Sequence, residues 1–182
     1  MRGLTLSATF AALISVLSLV AIPIPFTPVP VTLQVLAVFL SAAILGPIYG
    51  AASCVIYLVI GAVGLPVFAG ATSGMAVLLG PLGGYLFSYP VAALVGGAAS
   101  RVRSSGRRMD TIRVVVCCAV ALLVIYAIGA VWLGLYLGLS LPRAFLLGVV
   151  PFAPFDVLKA LAAVPIAARV RWARLPLPID SA

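Results

Sequence analysis

The chain has 182 residues, 65% of them hydrophobic and only 8% charged, with a net charge of +8. A soluble domain carries about 25% charged residues, so an ordinary soluble globule is excluded. The basic residues are clustered rather than spread over a solvated fold, which excludes a nucleic-acid-binding module. The apolar residues come in blocks close to the ~20 residues that cross a bilayer. Residues 1–182 therefore read as one integral membrane domain.

Leu4 to Ile22 reads as a first span. A basic start followed by an apolar run also describes a signal peptide, but no small-residue cleavage site follows, and the helix is read as retained. Pro23-Ile24-Pro25-Phe26-Thr27-Pro28-Val29-Pro30 is a proline-stiffened loop. Val31 to Leu45 and Ile48 to Val63 are two short spans divided by Gly46-Pro47. Residues 64–79 are too rich in glycine for a straight lipid-facing helix. Irregular backbone at membrane depth needs cover from protein or a cavity, so this segment reads as a loop folded over or into the bundle. Gly80 to Ala99 is a fourth span, and residues 101–113 form a basic loop without apolar periodicity. Val114 to Leu139 is a fifth span, 140–150 is apolar but interrupted, and Pro154 to Ala168 is a sixth. The tail carries Arg169, Arg171 and Arg174.

The expected fold is thus an all-α bundle of six transmembrane helices, with a long outer loop between the third and fourth. Six spans put both termini on one side. Arg2, the five arginines of the 101–113 loop and the three of the tail share that side, 1 + 5 + 3 = 9 of the 11 basic residues. The positive-inside rule makes it cytoplasmic. Segments 23–30, 64–80 and 140–155 then lie outside. Small residues four apart (Ala8/Ala12, Gly46/Gly50, Gly80/Gly84, Gly134/Gly138) suit close helix approach.

Several chemistries are missing. There is no P-loop, and Lys159 is the only lysine, so this chain does not hydrolyse ATP by a P-loop. Without histidine the usual serine–histidine and zinc arrangements are absent, and Cys54, Cys117 and Cys118 match no metal spacing. The cysteines read as buried packing residues. No cofactor or metal is expected, and an enzyme is not.

The polar exception is Asp156 and Lys159, three apart and so on one helix face, inside an apolar block. A charge there costs about 2.5–3.5 kcal/mol on insertion scales and is normally paired, solvated or functional. Pro154 suits a helix start, and Asp156 in the first turn is favoured by the helix dipole. The two residues either line an outward-opening ligand site or neutralise each other as a structural pair. Thr32, Gln34 and Tyr85 could add neutral polar groups, and Phe68, Met75 and Trp132 apolar walls. Taken singly, Gln34 also suits an interhelical hydrogen bond, and the aromatic residues and Met75 suit plain packing. The mixture fits a small amphipathic solute with a carboxylate and an amide-like head.

Five stretches resemble one family. They are Pro28-Val29-Pro30-Val31-Thr32-Leu33-Gln34, Leu45-Gly46-Pro47-Ile48-Tyr49-Gly50, Gly61-Ala62-Val63-Gly64-Leu65-Pro66-Val67-Phe68-Ala69-Gly70, Gly80-Pro81-Leu82-Gly83-Gly84-Tyr85, and Pro151-Phe152-Ala153-Pro154-Phe155-Asp156-Val157-Leu158-Lys159. In this order they look like the BioY family, the biotin-specific substrate-capture (S) subunits of energy-coupling-factor (ECF) vitamin transporters. Two positions depart from the pattern: Phe155 stands where the family usually has Gly, and Leu82 where it often has Thr or Ser. The resemblance implies a six-helix bundle in the cytoplasmic membrane that holds biotin on the outer side. It implies contacts from Asp156 and Lys159 to the polar groups of biotin, with 64–80 as a lid; Tyr85, Gln34, Thr32, Phe68, Met75 and Gly84 are the further ligand-binding candidates. Ala8 and Ala12 resemble the A-x-x-x-A through which S subunits dock on a transmembrane T subunit, with two ATPase subunits supplying energy; a homo-oligomer is the other assembly expected. The competing readings are an S subunit for thiamine or riboflavin, a membrane-embedded enzyme, and a purely structural membrane subunit.

Overall fold

The structure, a computed structural model, describes residues 2–99 and 107–173. Arg101, Arg103 and Arg174 of the expected cytoplasmic cluster lie outside them. Helix α1 (Arg2–Leu19) stops three residues short of the expected Ile22, because Pro23 and the residue before it resist helical geometry. Ala21–Ile22 instead forms β1, paired antiparallel with β2 (Val31–Thr32). The proline loop is therefore the tip of a small hairpin rather than a plain connector.

Helix α2 (Gln34–Ala62) is broken at Gly46, whose φ of 77° and ψ of −172° suit glycine alone. Pro47 opens the second arm at no cost, since its missing N–H would be unbonded there. The arms fold back on each other. The Gln34 amide donates to the Tyr57 hydroxyl, although 23 residues of straight helix would separate them by about 34 Å. Gly50 likewise lies against the backbone of Ser41 and Ala42. The expected pair of short spans is present.

Residues 64–80 form the expected covering loop. It contains a 3-10 turn (Ala69–Ala71) and the short helix α3 (Met75–Leu79). Next come α4 (Gly83–Ala99), α5 (Arg107–Leu137), α6 (Leu141–Gly148) and α7 (Ala153–Trp172). Helix α5 begins within the basic segment read as loop, and α7 runs four residues past the expected Ala168. The interrupted stretch 140–150 is the amphipathic α6, bent by 54° from α7.

Among the described residues α1, α2 and α5 are long and apolar enough to cross a membrane, and the bent pair α6–α7 makes a fourth candidate. With α2 counted as two arms and α4 added, six helical passes run between two ends of the molecule. The chain is a membrane-embedded protein. Helices α2, α4 and α5 form the central layers, with α1 against α2, and α7 against both α5 and α2. Close approach comes from glycine: Gly84 lies under Trp132, Gly96 against Cys117 and Ala121, and Gly97 against Gly46-Pro47. Gly138 does something else. With φ of 64° it ends α5, and the Leu139 N–H bonds the Gly134 carbonyl across it at 2.8 Å, the Schellman pattern.

One end gathers the start of α1, the Gly46-Pro47 turn, the end of α4, the start of α5 and the end of α7. Arg171, which the sequence shows only as one charge of the basic tail, is 1% exposed. Its guanidinium donates to the Ala43 carbonyl at 3.0 Å and pairs with Asp110 at 3.3 Å. It thereby caps the last turn of the first α2 arm and ties α2, α5 and α7 together. Removing one partner of a buried ion pair costs about 3–5 kcal/mol. Arg171→Met should therefore lower the melting temperature in detergent markedly, whereas the same change at exposed Arg169 should leave it nearly unchanged. Equal effects at the two positions would remove the clamp.

Candidate functional site

The other end carries the cavity. Its floor and walls come from the β2 strand and the start of α2 (Thr32, Gln34, Val35), α4 (Tyr85, Leu86, Tyr89), the middle of α5 (Ile125, Tyr126), and the α6–α7 junction (Gly148, Phe152, Asp156, Lys159). Val29, Pro30, Phe68, Ala69 and Leu82 close it above. A water-sized sphere reaches about 50 Å³ of it, less than the ~300–1,000 Å³ of small-molecule sites, so its walls stand close together.

Asp156 and Lys159 are 4% and 8% exposed and face each other across one turn of α7. The Lys159 ammonium donates to Asp156 Oδ1 at 2.6 Å, and the Tyr126 hydroxyl of α5 donates to Oδ2 at 2.8 Å. Asp156 sits in the first turn of α7, where the helix dipole adds stabilisation. The structural pair and the cavity lining are therefore the same two residues, so the alternatives open in the sequence do not exclude one another.

A second, neutral polar cluster faces them. Gln34 is 3% exposed. Its amide oxygen accepts from Thr32 at 3.0 Å and from Tyr89 at 3.4 Å, while its amide nitrogen donates to Tyr57. Tyr85 is spoken for differently. Its hydroxyl donates to the Gly148 carbonyl at 2.7 Å and its ring rests on Gly129, so it offers the cavity mainly its ring.

The loop over the site is pinned by Phe68, which is 0% exposed. Its ring meets Tyr57 edge-on, with centroids 5.5 Å apart, and lies directly on Gly61. The Gly61 carbonyl receives the Gly74 N–H at 2.8 Å, and Ser18 of α1 donates to the Val67 carbonyl. At the far foot of the loop the Trp132 indole donates to the Gly80 carbonyl at 2.9 Å. An outer cleft between the hairpin tip and the loop is bordered by Pro30, Ala69 and Leu82, which also border the cavity.

Of the residues singled out in the sequence, Asp156, Lys159, Tyr85, Gln34, Thr32 and Phe68 all line this cavity. Met75 does not: it starts α3, is 53% exposed and borders neither cavity nor cleft. Gly84 is turned toward α5, where a Cβ would overlap Trp132. Trp132 itself packs on Phe87 with ring centroids 5.9 Å apart and is not a wall. Phe155 is 48% exposed and lies off the cavity, so the large side chain beside Asp156 does not narrow it. Leu82 puts an apolar group on the rim.

Tyr89, Tyr126, Ile125 and Phe152 escaped the sequence reading. Two of them left a signal. Tyr89 follows Tyr85 by four residues and so shares its helix face. Tyr126 is the one hydroxyl between Val114 and Leu135. The reasoning that marks a lone acid in an apolar block applies, more weakly, to a lone phenol.

A profile of the BioY family matches residues 1–175. This chain belongs to the BioY family. It is 42% identical over 170 residues to the "Probable biotin transporter BioY" of Pyrococcus horikoshii, covering 93% of this chain and 96% of that one. It is 41% identical over 171 residues to the "Biotin transporter BioY" of Thermotoga maritima, covering 94% and 96%. Among solved structures it resembles the S-component for biotin from an ECF-type ABC transporter, with a TM-score of 0.82 and 32% identity over 93% of this chain and 90% of that one. As a BioY-family chain it is a transporter component and not an enzyme, and its fold is that of the solved S-component.

The pinning of the loop by Phe68 has a direct test. A methyl group at Gly61 would overlap the Phe68 ring, and such overpacking costs about 1–3 kcal/mol. Gly61→Ala should destabilise the protein by that order and speed protease cleavage within residues 64–74. An unchanged cleavage rate would mean that Phe68 does not anchor the loop.

Proposed function

We propose that this chain captures biotin as the substrate-binding S subunit of an ECF-type transporter, taking the vitamin from the outer side of the cytoplasmic membrane. The observation that carries this reading is the enclosed cavity with the Asp156–Lys159 pair on one wall and the Gln34–Thr32–Tyr89 cluster on another, in a chain akin to biotin transporters along nearly its whole length. A bicyclic ligand with a urea head and a carboxylate tail needs both donors and acceptors in an otherwise apolar pocket. Lys159 retains N–H groups beyond the one given to Asp156, and Gln34 has a second amide N–H.

Orientation follows from charge. Among the described residues Arg2, Arg107, Arg108, Arg113, Arg169 and Arg171 belong to the end opposite the cavity, while Arg143 and Lys159 are the basic residues of the cavity end. The positive-inside rule places the arginine-rich end, with both termini, in the cytoplasm. The cavity then faces outward.

The energy comes from other subunits: a transmembrane T subunit and two ATPases. Ala8 and Ala12 are exposed on α1, about 110° round the helix from the face that buries Ser7, Ala11, Ile14 and Ser18. They form a smooth strip on which another helix can lie closely, and they are our candidates for T-subunit docking.

Calorimetric titration of biotin into the purified protein should show tight one-to-one binding that excess thiamine or riboflavin does not displace; displacement by either would reassign the vitamin. Lys159→Ala removes a charged hydrogen-bond donor worth about 1.5–3 kcal/mol, so the dissociation constant should rise about ten- to a hundredfold. Unchanged affinity would take Lys159 out of the site. Leucine at Ala8 and Ala12 should leave biotin binding intact and prevent co-purification with the T subunit. Normal assembly and uptake would exclude the docking role.

A further inference from the structure

We infer that Tyr126 is a positioning residue for ligand binding: its hydroxyl, supplied by α5, sets the orientation of the Asp156 carboxylate and through it the Lys159 ammonium. This deepens, and rests on, the proposed capture of biotin at this cavity.

Lys159 and Asp156 lie one turn apart on α7, both almost fully buried. Left to themselves, two opposite charges in an apolar interior would maximise their mutual contact, with the ammonium straddling both carboxylate oxygens. That arrangement spends the lysine donors inside its own helix. The structure shows another one. The ammonium meets Oδ1 only, at 2.6 Å, and Oδ2 is taken by the Tyr126 hydroxyl at 2.8 Å. The two bonds come from different helices, so the plane of the carboxylate is fixed by the packing of α5 on α7 rather than by α7 alone. An ammonium has three N–H donors. Held on one oxygen, it keeps the others for the cavity.

Tyr126 is also well placed for this task. Its neighbour Ile125 is buried and both line the cavity, while Gly129, one turn further along α5, makes room for the Tyr85 ring. Its phenolic oxygen still has lone pairs after donating to Asp156. No other hydroxyl in the long apolar run of α5 competes for Asp156. The remaining polar wall groups are engaged elsewhere: Tyr85 on Gly148, Tyr89 and Thr32 on Gln34.

The test uses Tyr126→Phe, which removes one oxygen and keeps the ring in the wall. Biotin affinity should fall about two- to tenfold, the range for the net loss of one hydrogen bond, and the melting temperature of the ligand-free protein should fall as well, because Asp156 Oδ2 loses its donor. A double-mutant cycle with Asp156→Asn distinguishes positioning from direct contact. In the Asn background the Tyr126→Phe change should cost less than about twofold, because the group being positioned is gone. Equal losses in both backgrounds overturn the proposal. A second readout needs no ligand. The carboxylate stretching band assigned to Asp156 by infrared difference against Asp156→Asn should show a strongly hydrogen-bonded carboxylate in the wild type and shift in Tyr126→Phe. A free-carboxylate band in the wild type, or no shift, overturns the proposal even if biotin binds. If the band shifts as expected but wild-type protein does not bind biotin, the choice of ligand has failed and the Tyr126–Asp156 linkage stands as structure only, which overturns its role in biotin binding.

Discussion

Asp156 and Lys159 sit in an interior that gives charges almost no water, and the cavity end is arranged around keeping them there. An unpaired ion at membrane depth is expensive. The pair alone reduces that cost, and the first-turn position on α7 and the Tyr126 hydroxyl reduce it further. Each compensation ties a different element to the site: α7 through its dipole and α5 through its phenol. The polar core therefore fixes how these two helices pack. The neutral Gln34 cluster repeats the device across the cavity, joining the start of α2 to Tyr57 on its returning arm and to Tyr89 on α4.

Such packing needs the helices close together, and glycine provides that. Helix α4 meets α5 where Gly84 receives Trp132 and where Gly129 receives the Tyr85 ring. Without a Cβ at those places the large rings can lie on backbone, which brings their polar atoms to the Gly80 and Gly148 carbonyls. The covering loop obeys the same rule through Phe68 on Gly61. Aromatic bulk and glycine gaps are thus matched along the α4–α5 seam and under the covering loop.

The two ends of the bundle solve different problems. The cavity end must admit a solute, and its covers are light: a hairpin of two-residue strands and a loop held by one aromatic plug and a few backbone bonds. The opposite end is tied together instead. There Arg171 binds α2, α5 and α7 at the ends far from the site. The same three helices carry Gln34, Tyr126 and Asp156 at or toward their other ends, so the clamp gives the site a fixed base.

Much of this protein is written in its order of residues. Apolar block lengths set the membrane class, Gly46-Pro47 set the reversal within α2, glycine density set the covering loop, and the isolated acid and lysine marked the cavity. These are local properties, decided by hydrophobic length, backbone sterics and the cost of burying charge. What a side chain faces is not local. Met75 and Gly84 carry suitable chemistry in suitable stretches, yet the rotation of α3 and α4 turns them elsewhere. Tyr126 drew no reading in the sequence and Arg171 counted only as one charge of the basic tail, yet one lines the cavity and the other is a buried clamp. Their roles depend on partners 30 and 61 residues away in the chain, and only the packing of α5 against α7 brings those partners within hydrogen-bond reach.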